Sequence, residues 1–116
     1  MISLLIGIQT GWTEEIKISN VAAFEIAKTE AFQLGYEPEE MDVEITFYRT
    51  PWNKYFPKDT KEPFYLEQQE KLKEKIYWAV YFSPVAPDEN SILVGGDLTI
   101  LIDAESGDIL IELQGK

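Results

Sequence analysis

The chain has 116 residues, carries 21 Asp and Glu against 10 Lys and Arg for a net charge of −11, and contains neither cysteine nor histidine. That length suits a single domain, 1–116. The missing cysteines exclude disulfides and thiolate metal sites, and the missing histidines remove the side chain most used for proton transfer near neutral pH. A surface this acidic repels phosphate backbones, so nucleic acid is not an expected partner, whereas a basic protein is drawn to it.

Met1–Ile8 is apolar but lacks the basic start and the small-residue cleavage site of a signal peptide, and reads as a short buried strand. No stretch reaches the ~20 apolar residues of a membrane span. A cytoplasmic protein without a membrane contact is therefore expected, with export the alternative were the N-terminus truncated. Ser19 or Asn20 then caps a helix over 21–34, with Ala23, Ala27, Ala31 and Leu34 on one stripe and Phe24 beside it. Gly35 and Pro38 close it. From Asp42 to Tyr48 the period changes to two, with Val43, Ile45 and Phe47 on one face, and Pro51 ends that strand.

Residues 51–65 hold three prolines and five aromatics with no period, and residues 65–75 are helix-compatible but apolar only at Tyr65, Leu66 and Leu72. Segment 50–75 is accordingly expected to be a mobile or inserted arm, or a short exposed helix, rather than a core element. Period two returns at Ile76, Trp78, Val80 and Phe82. It returns again in a strand from Ile92 to Ile102 that is interrupted at Gly95-Gly96, where a bulge or bend is expected. Gly107 is placed to take positive φ in a tight turn at Asp103–Gly107, after which Ile109, Ile111 and Leu113 finish the sheet. The order predicts an α+β fold: an N-terminal helix packed on a curved antiparallel sheet of about four strands, of the cystatin-like or nuclear-transport-factor-like kind, with a flat two-layer sandwich of the same order as the alternative.

The acids around the last turn invite a chemical reading. Asp103, Glu105 and Asp108 have alternate-position oxygens, but glycine falls at the fifth position of the run and strands flank it, so a polar hairpin turn is expected instead of a calcium loop. No acid sits in an obviously apolar setting that would raise its pKa, so no carboxylate pair stands out for acid–base work. Neither a metal, nor a cofactor, nor a catalytic residue is expected. The aromatic loop is the better candidate, because Trp52, Tyr55, Phe56, Phe64 and Tyr65 interleaved with Lys54, Lys58 and Lys61 have the composition of a contact surface. Covering the open end of the sheet is its alternative role.

The run Trp78-Ala79-Val80, the pair Gly95-Gly96 followed by Leu98, Ile100 and Ile102, the segment Gly107-Asp-Ile-Leu and the final Gly115-Lys116 together resemble small bacterial immunity proteins of nuclear-transport-factor-like fold. Ala23 and Ala27 sit where that family's helix would lie. Residues Leu98 to Leu110 also resemble the closing hairpin of PepSY domains, which are associated with protease regulation. The first resemblance implies a non-enzymatic protein that binds and neutralises a cognate toxin. Combined with the charge, it makes a basic toxin the expected partner and Trp52, Tyr55, Phe56, Asp88, Glu89 and Asp97 the expected contact residues. The alternatives are a PepSY-like module, or a small-ligand carrier or enzyme using a cavity inside the cone.

Overall fold

The computed structural model describes residues 16–85 and 96–115. It is an α+β fold: helix α1 (Asn20–Gln33), strand β1 (Met41–Tyr48), helix α2 (Pro63–Lys71), and strands β2 (Tyr77–Pro84), β3 (Leu98–Asp103) and β4 (Ile109–Gln114). The four strands form one antiparallel sheet in the order β1-β2-β3-β4. The expectations for Met1–Ile8 and for the strand portion before Gly96 fall outside the described residues. Among the described residues no helix is long and apolar enough to cross a membrane.

The alanine stripe of α1 has the role its spacing predicts. Ser19 caps the helix by accepting the Ala22 N–H at 3.1 Å. Ala23, Ala27 and Ala31 are all fully buried against Val80, Phe82, Leu98, Ile100 and Ile102. Small side chains let the helix axis approach the sheet closely, while the larger Phe32 on the opposite side is left 71% exposed. Ile45, Met41 and Trp78 extend this layer at its margins. The indole N–H of Trp78 donates to the Ile18 carbonyl at 2.7 Å and so fixes the chain just before the helix.

The opposite face of the sheet is covered as well, which corrects the expectation for segment 50–75. Phe56 and Leu72 are buried with Tyr77, Ala79, Leu101 and Ile111 in a second core, flanked by Tyr48, Tyr55, Tyr65, Leu110 and Leu113. Gln68, on α2, is buried too. The segment therefore supplies a third layer. Its buried contribution comes from one loop aromatic, one leucine just past the helix and one glutamine, a set with no helical period to betray it. A bulge where β4 pairs with Leu101 and Ile102 turns both Leu110 and Ile111 toward this layer.

The turn at Asp103–Gly107 joins the layers. Gly107 has φ +84°, and its N–H donates to the Asp103 carbonyl at 2.9 Å. One carboxylate oxygen of Asp103 accepts the N–H groups of Glu105 at 2.8 Å and Ser106 at 3.3 Å, and the other meets the Lys75 ammonium at 3.3 Å. The carboxylate expected to shape a hairpin is thus engaged by its own turn and by one lysine. The next residue, Ala104, accepts the N–H groups of both Lys17 and Ile18 at 2.9 Å and donates to Ile76. The start of α1, the start of β2 and the last hairpin meet at this one point.

Candidate partner-binding surface

Antiparallel pairing of β1 and β2 places Glu44 opposite Tyr81 and Tyr48 opposite Tyr77, so tyrosines and an acid share one side of the sheet. The loop after β1 folds onto that side because Asn53 organises it. Its side-chain carbonyl accepts the N–H groups of Tyr55 at 2.7 Å and Phe56 at 2.9 Å, and its amide donates to the Tyr77 hydroxyl at 2.8 Å. Tyr77 in turn donates to the Thr50 carbonyl at 2.7 Å. From α2, the Gln69 amide donates to the carbonyls of Phe56 and Pro57.

This frame sets Tyr55 beside Tyr81, with ring centres 6.4 Å apart. The Lys54 ammonium lies 5.4 and 5.3 Å from those two rings and 3.2 Å from a Glu44 oxygen. Tyr81 donates its hydroxyl to Asp97 at 3.0 Å. Trp52 stands on the same loop, 38% exposed, with Lys58 4.8 Å above its ring.

Of the six residues expected from the sequence, Tyr55 and Asp97 converge on Tyr81, and Trp52 is presented on the loop beside them. Phe56 is a correction: at 1% exposure it is a core residue that anchors the loop from below and offers no contact area to a partner. Asp97 also has a structural task, since its carbonyl accepts the Gly115 N–H at 2.8 Å. A Cβ at Gly115 would collide with the Asp97 carboxylate, so a larger residue there would displace that side chain from Tyr81. Asp88 and Glu89 lie outside the described residues. Tyr81, Lys54 and Glu44 were missed. Pairing 42–48 against 77–83 with the register fixed would have exposed them.

The electrostatics of the cluster suit contact. The hydrogen bond to Glu44 raises the Lys54 pKa against an opposing effect of burial. Donation to Asp97, then burial, raises that of Tyr81. Burial raises Tyr55, with the Lys54 charge opposing, and pushes Tyr77 up to about 12 with the Asn53 bond opposing. All four groups therefore hold their protons at neutral pH. The cluster offers ring faces, hydroxyl donors and a cation paired to an acid.

Compared with known family models, curated proteins and solved structures, the chain matches none.

The space between α1 and the sheet, where a cone-fold carrier would hold its ligand, is filled by the alanine stripe and the apolar residues of β2 and β3, Phe82 among them. Concavities instead open outward, as in the groove of about 420 Å³ lined by Lys28, Thr29, Phe32 and the segment 37–40.

One carboxylate does depart from the sequence expectation. Glu112 on β4 faces Glu30 on α1, and the hydrogen bond between the two carboxyl groups, with burial and like-charge repulsion adding to it, pushes the Glu112 pKa from 4.5 up to about 7. A neighbouring carboxyl group and partial burial both disfavour the charged form, so Glu112 keeps its proton to higher pH than a free glutamate. The helix-to-sheet approach that creates the pair joins positions far apart in sequence, so no spacing rule reveals it. Because the folded state holds this proton more tightly than the unfolded chain, its contribution to stability is full below pH 4.5. That contribution declines as pH rises through about 7. Glu112→Gln is expected to remove that decline. Urea midpoints for the variant should change less than wild type between pH 5 and about 8, the difference being moderated by the solvent exposure of the pair. Equal slopes for the two proteins would show that the Glu112 pKa is not raised by folding.

Proposed function

We propose that this chain is a non-enzymatic protein-binding domain that neutralises a basic toxin, as the immunity proteins it resembles do. The observation that carries this reading is the half-exposed cluster of Tyr55 and Tyr81, with Trp52 on the same loop, set in a molecule of net charge −11. Aromatic side chains supply large contact area at low entropic cost. The acidic field accelerates encounter with a cationic partner, and Glu44 and Asp97 beside the rings offer acceptors to its lysines and arginines. Neutralisation then follows from covering the toxin's working surface, with no bond made or broken.

The test is growth rescue. Co-expression of the chain with a toxin domain encoded beside it should restore growth to an arrested bacterial host. The purified pair should form a complex whose affinity falls severalfold from low to physiological salt. Trp52→Ala should weaken the complex at least fivefold while leaving the chain folded. Growth arrest that the chain does not relieve, together with no complex at low salt, would remove the reading.

A further inference from the structure

Strand β4 is an edge of the sheet among the described residues, and its outer side is framed as a slot. The Gly115 N–H donates inward to the Asp97 carbonyl. By the alternation of an antiparallel ladder, Leu113 and Ile111 then bond to β3, while Glu112 and Gln114 turn their N–H and C=O groups outward. On one side of this edge stands α2, whose Phe64, Gln68 and Lys71 form a wall over residues 109–113. Phe64 is 51% exposed there, and Gln68, only 6% exposed, lines the same groove. Among the described residues its amide has no hydrogen-bond partner, an unusual state for a buried carboxamide. On the other side stands α1, with Glu25, Glu30 and Thr29 facing Ile109.

We infer that the β4 edge accepts an extended, basic segment of a protein partner as a fifth strand. Backbone groups of Glu112 and Gln114 supply the ladder bonds, as in other strand-addition modes. Side chains of an added strand alternate between the two walls. Those toward α1 meet Glu112, Glu30 and Glu25 and are lysine or arginine; those toward α2 meet Phe64, Leu110 and Leu113 and are apolar, with Gln68 able to bond a backbone group between them. Lys71 stands beside the start of β4, and the acidic Glu62 lines the far end of the slot with Leu113 and Gln114. A second copy of this chain is disfavoured as occupant, because two such edges would set acids against acids. The inference gives the partner-binding reading a second contact surface, on a sheet edge remote in sequence from the aromatic loop.

A capped nine-residue peptide alternating lysine and valine is the probe, with a glutamate–valine peptide as control. Binding should slow amide exchange at Glu112 and Gln114 at least tenfold, and the control should leave it unchanged. Glu112→Pro removes an outward donor without removing a bond to β3, and should abolish binding. Phe64→Ala, at an exposed wall position, should weaken it about fivefold and guards against misfolding of the proline variant. Amides of Glu112 and Gln114 already protected in the free protein would show the edge covered by the chain itself or by a second copy, and would overturn the inference. So would equal binding of both peptides, or no binding of either. Growth rescue by Glu112→Pro at wild-type level would remove the slot from toxin neutralisation while leaving the immunity reading intact, whereas failure of the wild-type chain to rescue would leave the peptide result standing by itself.

Discussion

Phe56→Ala is expected to destabilise the protein by about 3–5 kcal/mol, the usual cost of deleting a buried aromatic ring. Phe56 is 1% exposed and lies among Leu72, Tyr77, Ala79, Leu101 and Ile111, with the rings of Tyr65 and Phe64 at 6.0 and 6.4 Å. Its removal leaves a void beneath the loop that carries Tyr55, so the loss is both of apolar transfer energy and of packing contacts. The neighbouring Trp52→Ala serves as the internal reference: that ring is 38% exposed and its truncation should cost well under half as much. Urea unfolding of the two variants measures the difference. A change below about 1 kcal/mol for Phe56→Ala would mean that α2 and its loop do not form a core with the sheet.

The second large effect is expected at Asp103. Its carboxylate is 8% exposed, serves two backbone N–H groups and meets Lys75, whose side chain is 41% exposed. Asp103→Ala leaves those donors without their partner at the point where α1, β2 and β4 meet, and should cost about 2–4 kcal/mol. Asp103→Asn keeps an oxygen for the turn and loses only the charge, so about 1 kcal/mol is expected. The pH dependence separates the two roles. Burial alone would raise the Asp103 pKa, but the Glu105 N–H, Lys75 and the Ser106 N–H together hold it below its usual 3.8. Its stabilisation is therefore complete above that value and is lost as pH falls through the lower, folded-state pKa. Acid titration of wild type should show a steeper loss of stability below pH 3.8 than Asp103→Asn. Parallel curves would place the carboxylate outside the turn. The Glu30–Glu112 pair acts in the opposite direction and at higher pH, so the two contributions are both at full strength only between about pH 3.8 and 4.5.

Local periodicity made three parts of this fold legible. The Ala23–Ala27–Ala31 stripe, the alternation through 42–48 and 76–82, and the glycine after Asp103 each express a rule that operates within a few residues, and each corresponds to an observed element. The second core was not legible for a physical reason. α2 buries Gln68 and leaves Leu66 47% exposed, so its polarity pattern runs against its packing, and the residue that seals the layer comes from a proline-rich loop. The contact surface was half legible. Composition identified Trp52 and Tyr55 but equally suggested Phe56, because an aromatic ring reads the same from above a loop as from beneath it. Tyr81, Lys54 and Glu44 join the cluster only through strand register and the Asn53 hydrogen bonds.

The way α1 is fastened has a kinetic consequence. The residue before its cap is held by Trp78, 60 positions later, and Tyr36 just past its end donates to Gln114, 78 positions later, at 3.4 Å. None of the helix's packing partners on the sheet lies closer in sequence than β1, so the alanine stripe has nothing to dock on until the strands have assembled. Fourteen residues with three buried alanines and no acid in the first turn make a marginal helix in isolation. Closing loops of this length before the contacts form is slow. Refolding is therefore expected to be limited by strand pairing, with helical signal appearing together with burial of Trp78 and not ahead of it. On the ribosome, the helix emerges early and must wait for the last hairpin, and through that interval its apolar face stays open to chaperones.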